Sequence, residues 1–146
     1  MPHAATTAPS LTDREISRFR ILFVVSALWN FAGSIPGVVD PAGMFAREFG
    51  HALTDPVMVS VYRGAWATSL IYAFGFLLAA RSPERHYGIV LMGGIGKFLF
   101  ALNLLVMHLN GWTSSFALLV IGGDFVFVSL FVLYLARLRR NGGRLL

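Results

Sequence analysis

The sequence predicts an all-α integral membrane protein: a four-helix transmembrane bundle with an interfacial amphipathic helix between helices 1 and 2. Three observations carry that prediction. Hydrophobic residues make up 56% of the 146-residue chain and charged residues only 13%, more apolar surface than a soluble domain of this size can cover. The apolar residues collect in four runs, about 18–35, 56–80, 87–109 and 114–136, each close to the ~20 residues that cross ~30 Å of hydrocarbon. The arginines between those runs alternate in density, as they do when one side of a membrane retains positive charge.

Residues 1–15 (MPHAATTAPSLTDRE) are small, polar and proline-containing and read as a flexible cytoplasmic tail. The four-span domain then occupies 16–137, and 138–146 form a basic cytoplasmic tail. The first run follows Arg14, Arg18 and Arg20. Alone it resembles a secretory signal with FAGS as a weak cleavage site, but the later spans favour a retained helix. In the connection that follows, Asp40 can cap a short helix with Pro41 at its first position. Met44, Phe45, Phe49 and Leu53 form its apolar stripe, opposed by Arg47, Glu48 and His51. Such a helix lies in the interface or closes the bundle's outer mouth as a lid.

Pro56 sits in the first turn of the second span, where proline is tolerated. Arg81 and Arg85 follow that span, and Arg137, Arg139, Arg140 and Arg144 follow the fourth. The two opposite loops hold Arg47 alone. This asymmetry predicts both termini in the cytoplasm of a bacterial inner membrane. Trp112, Tyr87 and Tyr134 suit the membrane interfaces.

The third run contains LMGGIGKFLF, residues 91–100. Its Gly-Gly-x-Gly-Lys order suggests a phosphate loop, yet such a loop needs a preceding strand and a Ser or Thr after the lysine. Phe98 stands there instead. Lys97 is therefore a lysine inside the membrane. At ~1.5 Å per residue, Lys97 lies about 15 Å deep from Tyr87 and Asp124 about 15 Å deep from Ser114. Asn30 falls at a similar level, and Arg63 about 10 Å below the outer end of its helix.

Ionisable groups at that depth cost about 2.5–3.5 kcal/mol each and should face inward and pair. Lys97 with Asp124 is the predicted pair, since a short loop makes their helices antiparallel neighbours. Arg63 is left over, with Asp124, Glu48 or Asp55 as candidate partners. The layer would then keep an excess positive charge. A neutral Lys97 amine, an acidic residue from the outer connection, or an anionic or electron-rich ligand would balance it. Small residues recur every fourth position beside this layer: Ser26–Asn30–Ser34, Ser60–Gly64–Thr68 and Gly93–Lys97–Ala101, with Gly122 and Gly123 before Asp124. Such seams let helices approach closely. They serve packing, or they wall a cavity of Arg63, Lys97, Asp124, Asn30, Trp66 and Asn103 that holds a hydrophobic ligand.

Other chemistry is thin. The chain has no cysteine, which excludes disulfides, thiolate metal sites and dithiol redox chemistry. His51 and His108 lie near the outer face, yet lone interfacial histidines are usually structural and no metal site is predicted. Glu48, His51, Asp55 and His108 remain outer-mouth candidates. There is no nucleophile elbow, and the net charge of +5 reflects cytoplasmic anchoring rather than nucleic-acid binding.

The four-span plan, RGAW at 63–66, GGIGK at 93–97 and GGD at 122–124 resemble small uncharacterised bacterial membrane proteins. More loosely, residues 20–137 resemble the DoxX-like group of four-helix proteins. That resemblance implies quinone-linked redox or lipid-related roles and carries over no catalytic residue. The expected function is a non-enzymatic accessory subunit or a binder of a quinone or lipid, with a redox or lipid-modifying enzyme or a small transporter as the alternatives. No cofactor is predicted beyond such a quinone or lipid. The expected partner is the bilayer, with a membrane-protein partner or a second copy left open.

Overall fold

The structure is a computed structural model and describes residues 11–140. These form α1 (Asp13–Val39), α2 (Pro41–Phe49), α3 (Pro56–Arg81), α4 (Tyr87–Leu109) and α5 (Phe116–Arg140). Three of them, α1, α4 and α5, are long and apolar enough to cross a membrane. The sequence predicts four such spans. α3 matches the others in length, at 26 residues, but Arg63, Thr68, Ser69 and two tyrosines dilute its hydropathy. Length and composition alone therefore qualify three of the four expected spans.

The ends also differ from expectation. α1 starts inside the stretch read as tail because Thr12 and Glu15 form a reciprocal capping box, satisfying two of the helix's free N–H groups. Leu11 is buried, and its N–H donates to Glu84 at 2.9 Å. At its far end α1 continues through Pro36 to Val39, past the predicted limit of 35. α5 likewise runs beyond 136 to Arg140. The remaining tail residues, 1–10 and 141–146, lie outside the described residues.

The short helix forms as its sequence requires. Asp40 accepts from the Gly43 N–H at 2.9 Å, Pro41 occupies the first turn, and Gly50 closes the helix at φ 78°. That left-handed geometry suits glycine, which has no Cβ to clash.

α1 packs along α3, and α4 packs along α5, while contact between the two pairs is sparser. α2 crosses one end of the bundle and touches α1, α3 and α5. At the opposite end an aromatic core draws the pairs together. Phe23 of α1 meets Tyr134 of α5 edge to face at 4.9 Å, and Phe76 of α3 lies 5.2 Å from Phe131. The Tyr134 hydroxyl donates to the Pro83 carbonyl at 2.5 Å, so the buried phenol is satisfied. Under α2 the buried apolar cluster among the described residues is Leu104, Ala117 and Ile121 of α4 and α5, with Phe49 of α2 packed against it. The helices are thus tied at one end and parted at the other.

Two of the predicted seams are buried and one is not. Ser26, Asn30 and Ser34 on α1, and Gly93, Lys97 and Ala101 on α4, all face inward. Ser60, Gly64 and Thr68 are exposed, because α3 turns Trp66, Ala73 and Phe76 to the interior instead. The close approach of α1 and α3 comes from Gly37, where an added Cβ would stand 2.1 Å from Cγ of Trp66.

Gly37→Ala should therefore displace the Trp66 indole and destabilise the fold by about 1–3 kcal/mol, the usual cost of overpacking. Gly64→Ala, at a position where a Cβ meets nothing within 4 Å, should be neutral or slightly stabilising. Thermal unfolding of both variants in a mild detergent measures the difference.

Candidate functional site

The predicted pair is present. Lys97 Nζ donates to Asp124 Oδ1 at 2.6 Å, and the two residues are 8% and 4% exposed. It is the one ion pair among the described residues. Local sequence explains how it forms. Gly93, one turn before Lys97, accepts the ring of Phe76, which an added Cβ would approach to 2.7 Å. Gly123, immediately before Asp124, lies under the indole of Trp29, whose Cζ2 would be 2.2 Å from a Cβ there. The indole can thereby reach past the helix backbone, and Nε1–H donates to the same Asp124 oxygen at 3.0 Å. Lys97 Nζ also stands 5.4 Å from the centre of the Phe127 ring, within range of a cation–π attraction.

Trp29 was not among the predicted site residues. Asn30 next to it was, and Asn30 turns instead to α3, donating to the Ser69 carbonyl at 3.1 Å. One signal pointed to Trp29: it precedes a buried polar position in the α1 seam and carries a donor that needs a partner when packed.

Between the two helix pairs, beneath α2, lies a cavity of about 440 Å³. Lys97, Asp124, Trp29 and Asn30 supply its polar wall. Trp66, Phe100, Leu104, Val120 and Phe49 supply much of the rest. Asn103 also lines it, although its side chain bonds only the Met107 sulfur at 3.7 Å.

α2 forms the roof. The Ser114 N–H donates to the Glu48 carbonyl at 2.8 Å, and its hydroxyl donates to the Arg47 carbonyl. Glu48, expected on the polar face with Arg47 and His51, is 1% exposed. It follows Met44 by four residues and Pro41 by seven, so helical geometry places all three on the inward face. The Tyr62 hydroxyl donates to Glu48 Oε2, while Oε1 has no partner. Burial pushes the Glu48 carboxyl above its ordinary range, and the Tyr62 hydrogen bond only partly opposes this.

Several predicted residues stand apart. Arg63 lies on an exposed face of α3 and is not part of the cavity wall, so the expected excess of positive charge does not arise. Asp55, a candidate partner for it, caps α3 through the N–H groups of Val57 and Met58 at 2.8 and 2.9 Å. His51 is exposed and packs edge-on against Phe45 at 5.1 Å. His108 pairs through Nδ1 with the Thr113 hydroxyl at 2.8 Å. Among the described residues no group of three or more side chains gathers to hold a metal.

No family model, curated protein or solved structure matches this chain.

Removing one member of the buried pair strands the other, which costs about 3–5 kcal/mol. Lys97→Met and Asp124→Leu should each unfold at clearly lower temperature than the double variant, and a thermal-shift cycle in detergent measures the coupling. A second prediction concerns Glu48. Its raised value means the folded chain keeps a proton that the unfolded chain releases. The stabilisation is complete below the ordinary value of 4.5 and is lost as pH rises through the raised value. Melting temperature should therefore fall as pH rises from 4.5 to the raised value and level off above it, and Glu48→Gln should flatten the slope.

Proposed function

We propose that this chain is a four-span bacterial inner-membrane protein, loosely DoxX-like, that binds a hydrophobic ligand such as a quinone or lipid and is not itself an enzyme. α3 serves as the fourth span. Its exposed residues Val57, Val61, Ile71, Phe74 and Leu78 give it an outward apolar face, and Arg63, exposed about 10 Å from the outer end of the helix, reaches the interface along its long side chain. The termini and the α3–α4 loop lie in the cytoplasm, where their arginines are retained, and α2 lies at the outer surface.

The observation that carries the ligand reading is the cavity itself. Its volume of about 440 Å³ falls within the range of small-molecule sites, and a mostly apolar wall with a few convergent polar groups is how such sites orient their ligands. The bundle has a reason to be open there, since the aromatic core that joins α1, α3 and α5 lies at the far end, and beside the cavity α3 meets α4 through the Trp66–Phe100 edge contact. Ala65 and Gly96, both exposed and both on the cavity wall, leave a side entrance between α3 and α4. A ligand dissolved in the bilayer would enter without crossing water.

Protein extracted gently should carry a lipid or quinone detectable by native mass spectrometry and by solvent extraction. Gly96→Phe, at a position where a Cβ meets nothing within 4 Å, should remove the bound species while leaving the fold intact. Wild-type protein that is free of such a species would overturn the reading. Topology has its own check, because the chain has no cysteine. Trp112→Cys should react with a membrane-impermeant maleimide from the periplasmic side, and Ser82→Cys only after the membrane is opened.

A further inference from the structure

The charges around the cavity define what kind of head group it accepts. Lys97 and Asp124 neutralise one another, and Arg63, which would have left a surplus cation, is turned away. Glu48 also lines the cavity, and its burial raises the carboxyl toward the protonated, uncharged form. Arg47 reaches the cavity from α2 but is exposed, so water solvates its charge. An anionic head beside the pair would add an uncompensated charge in a low-dielectric space, which is costly. A cationic head would meet the Lys97 ammonium.

The pair is nevertheless not saturated. An ammonium has three N–H donors, and Lys97 uses one on the protein. Asp124 Oδ1 takes both Lys97 and Trp29, while Oδ2 accepts no hydrogen bond among the described residues. Asp124 and Lys97 both line the cavity. A spare donor and a spare acceptor thus sit on adjoining atoms, and a group that is itself both acceptor and donor would satisfy them together. A hydroxyl is the smallest such group.

Resting on the ligand-binding reading above, we propose that the cavity takes an uncharged, single-tailed lipid whose head carries a hydroxyl, which accepts from Lys97 and donates to Asp124 Oδ2. The tail lies along Trp66, Phe100 and Leu104 and leaves through the side entrance. An acylglycerol and a quinol share this chemistry.

The test uses full-length protein in phosphatidylcholine nanodiscs, in a Trp112→Phe background so that only Trp29 and Trp66 of the three tryptophans fluoresce. The probes are dodecanol, dodecanoate and dodecyltrimethylammonium, which share one tail length. Dodecanol should give a saturable change at a concentration about tenfold or more below the two charged probes, a gap of about 1.4 kcal/mol or more. Lys97→Met with Asp124→Leu should abolish that preference while the weaker apolar binding persists. Monododecanoylglycerol and decylbenzoquinol, run as competitors of dodecanol, distinguish the two sources by which displaces it at lower concentration. Tighter binding of dodecanoate, lost on Arg47→Gln, would overturn the proposal by placing an anionic head at the mouth, and would leave ligand binding intact. A saturable response to none of the probes would overturn both.

Discussion

A lysine and an aspartate held 2.6 Å apart between α4 and α5 set a constraint that the surrounding structure answers. Neither charge is tolerable alone in an apolar interior, so the two helices must present them to each other at one depth. α1 is drawn into the same arrangement because the Trp29 indole donates to the aspartate. That reach needs a residue without a side chain immediately before Asp124, and Gly123 provides it. The glycine, the indole and the ion pair are one device built from three helices.

Closure at one end and separation at the other follow from where the large side chains fall. Phe23, Phe76, Phe131 and Tyr134 fill the end away from α2. Towards α2 the buried positions on α1 are small or polar, Ser34 and Gly37, and on α4 Lys97 and Ala101 precede the buried Leu104. Small residues there do not make the helices meet everywhere. Gly37 brings α3 close by admitting Trp66, and Gly93 does the same by admitting Phe76; on α4 it is Gly96, where a Cβ would meet nothing within 4 Å, that leaves room beside the cavity.

The fold was legible wherever periodicity or capping chemistry was strong. Asp40 with Pro41 marked the short helix, and equal depth on adjacent antiparallel helices marked the Lys97–Asp124 pair. Arg63 was misread because depth fixes a residue's level in the bilayer and not its direction around the helix. On α3 that direction is decided by Trp66, Ala73 and Phe76, which need the interior more than Ser60, Gly64 and Thr68 do. Glu48 admits two sequence readings, on the polar face of α2 or dipping inward, and the structure takes the second. Its acidity suggested a solvated face, although its spacing from Pro41 and Met44 already placed it inward. The indole donor of Trp29 beside a polar seam position is a local signal, but its partner depends on Gly123 on another helix, which no local pattern reveals.

The two hydrogen bonds from Ser114 to the end of α2 have a mechanical consequence. They fasten the roof to the loop between α4 and α5, although in the chain α2 lies between α1 and α3. The roof is therefore held by both helix pairs: by α1 and α3 through Asp40 and the Tyr62–Glu48 bond, and by the α4–α5 loop through Ser114. Any widening of the bundle that separates the two pairs must stretch the 50–55 linker, break the Ser114 contacts, or tear the roof from α1 and α3. Ser114 thus makes the short helix a strap across both halves of the molecule, so the two pairs cannot part at that end without breaking one of its attachments.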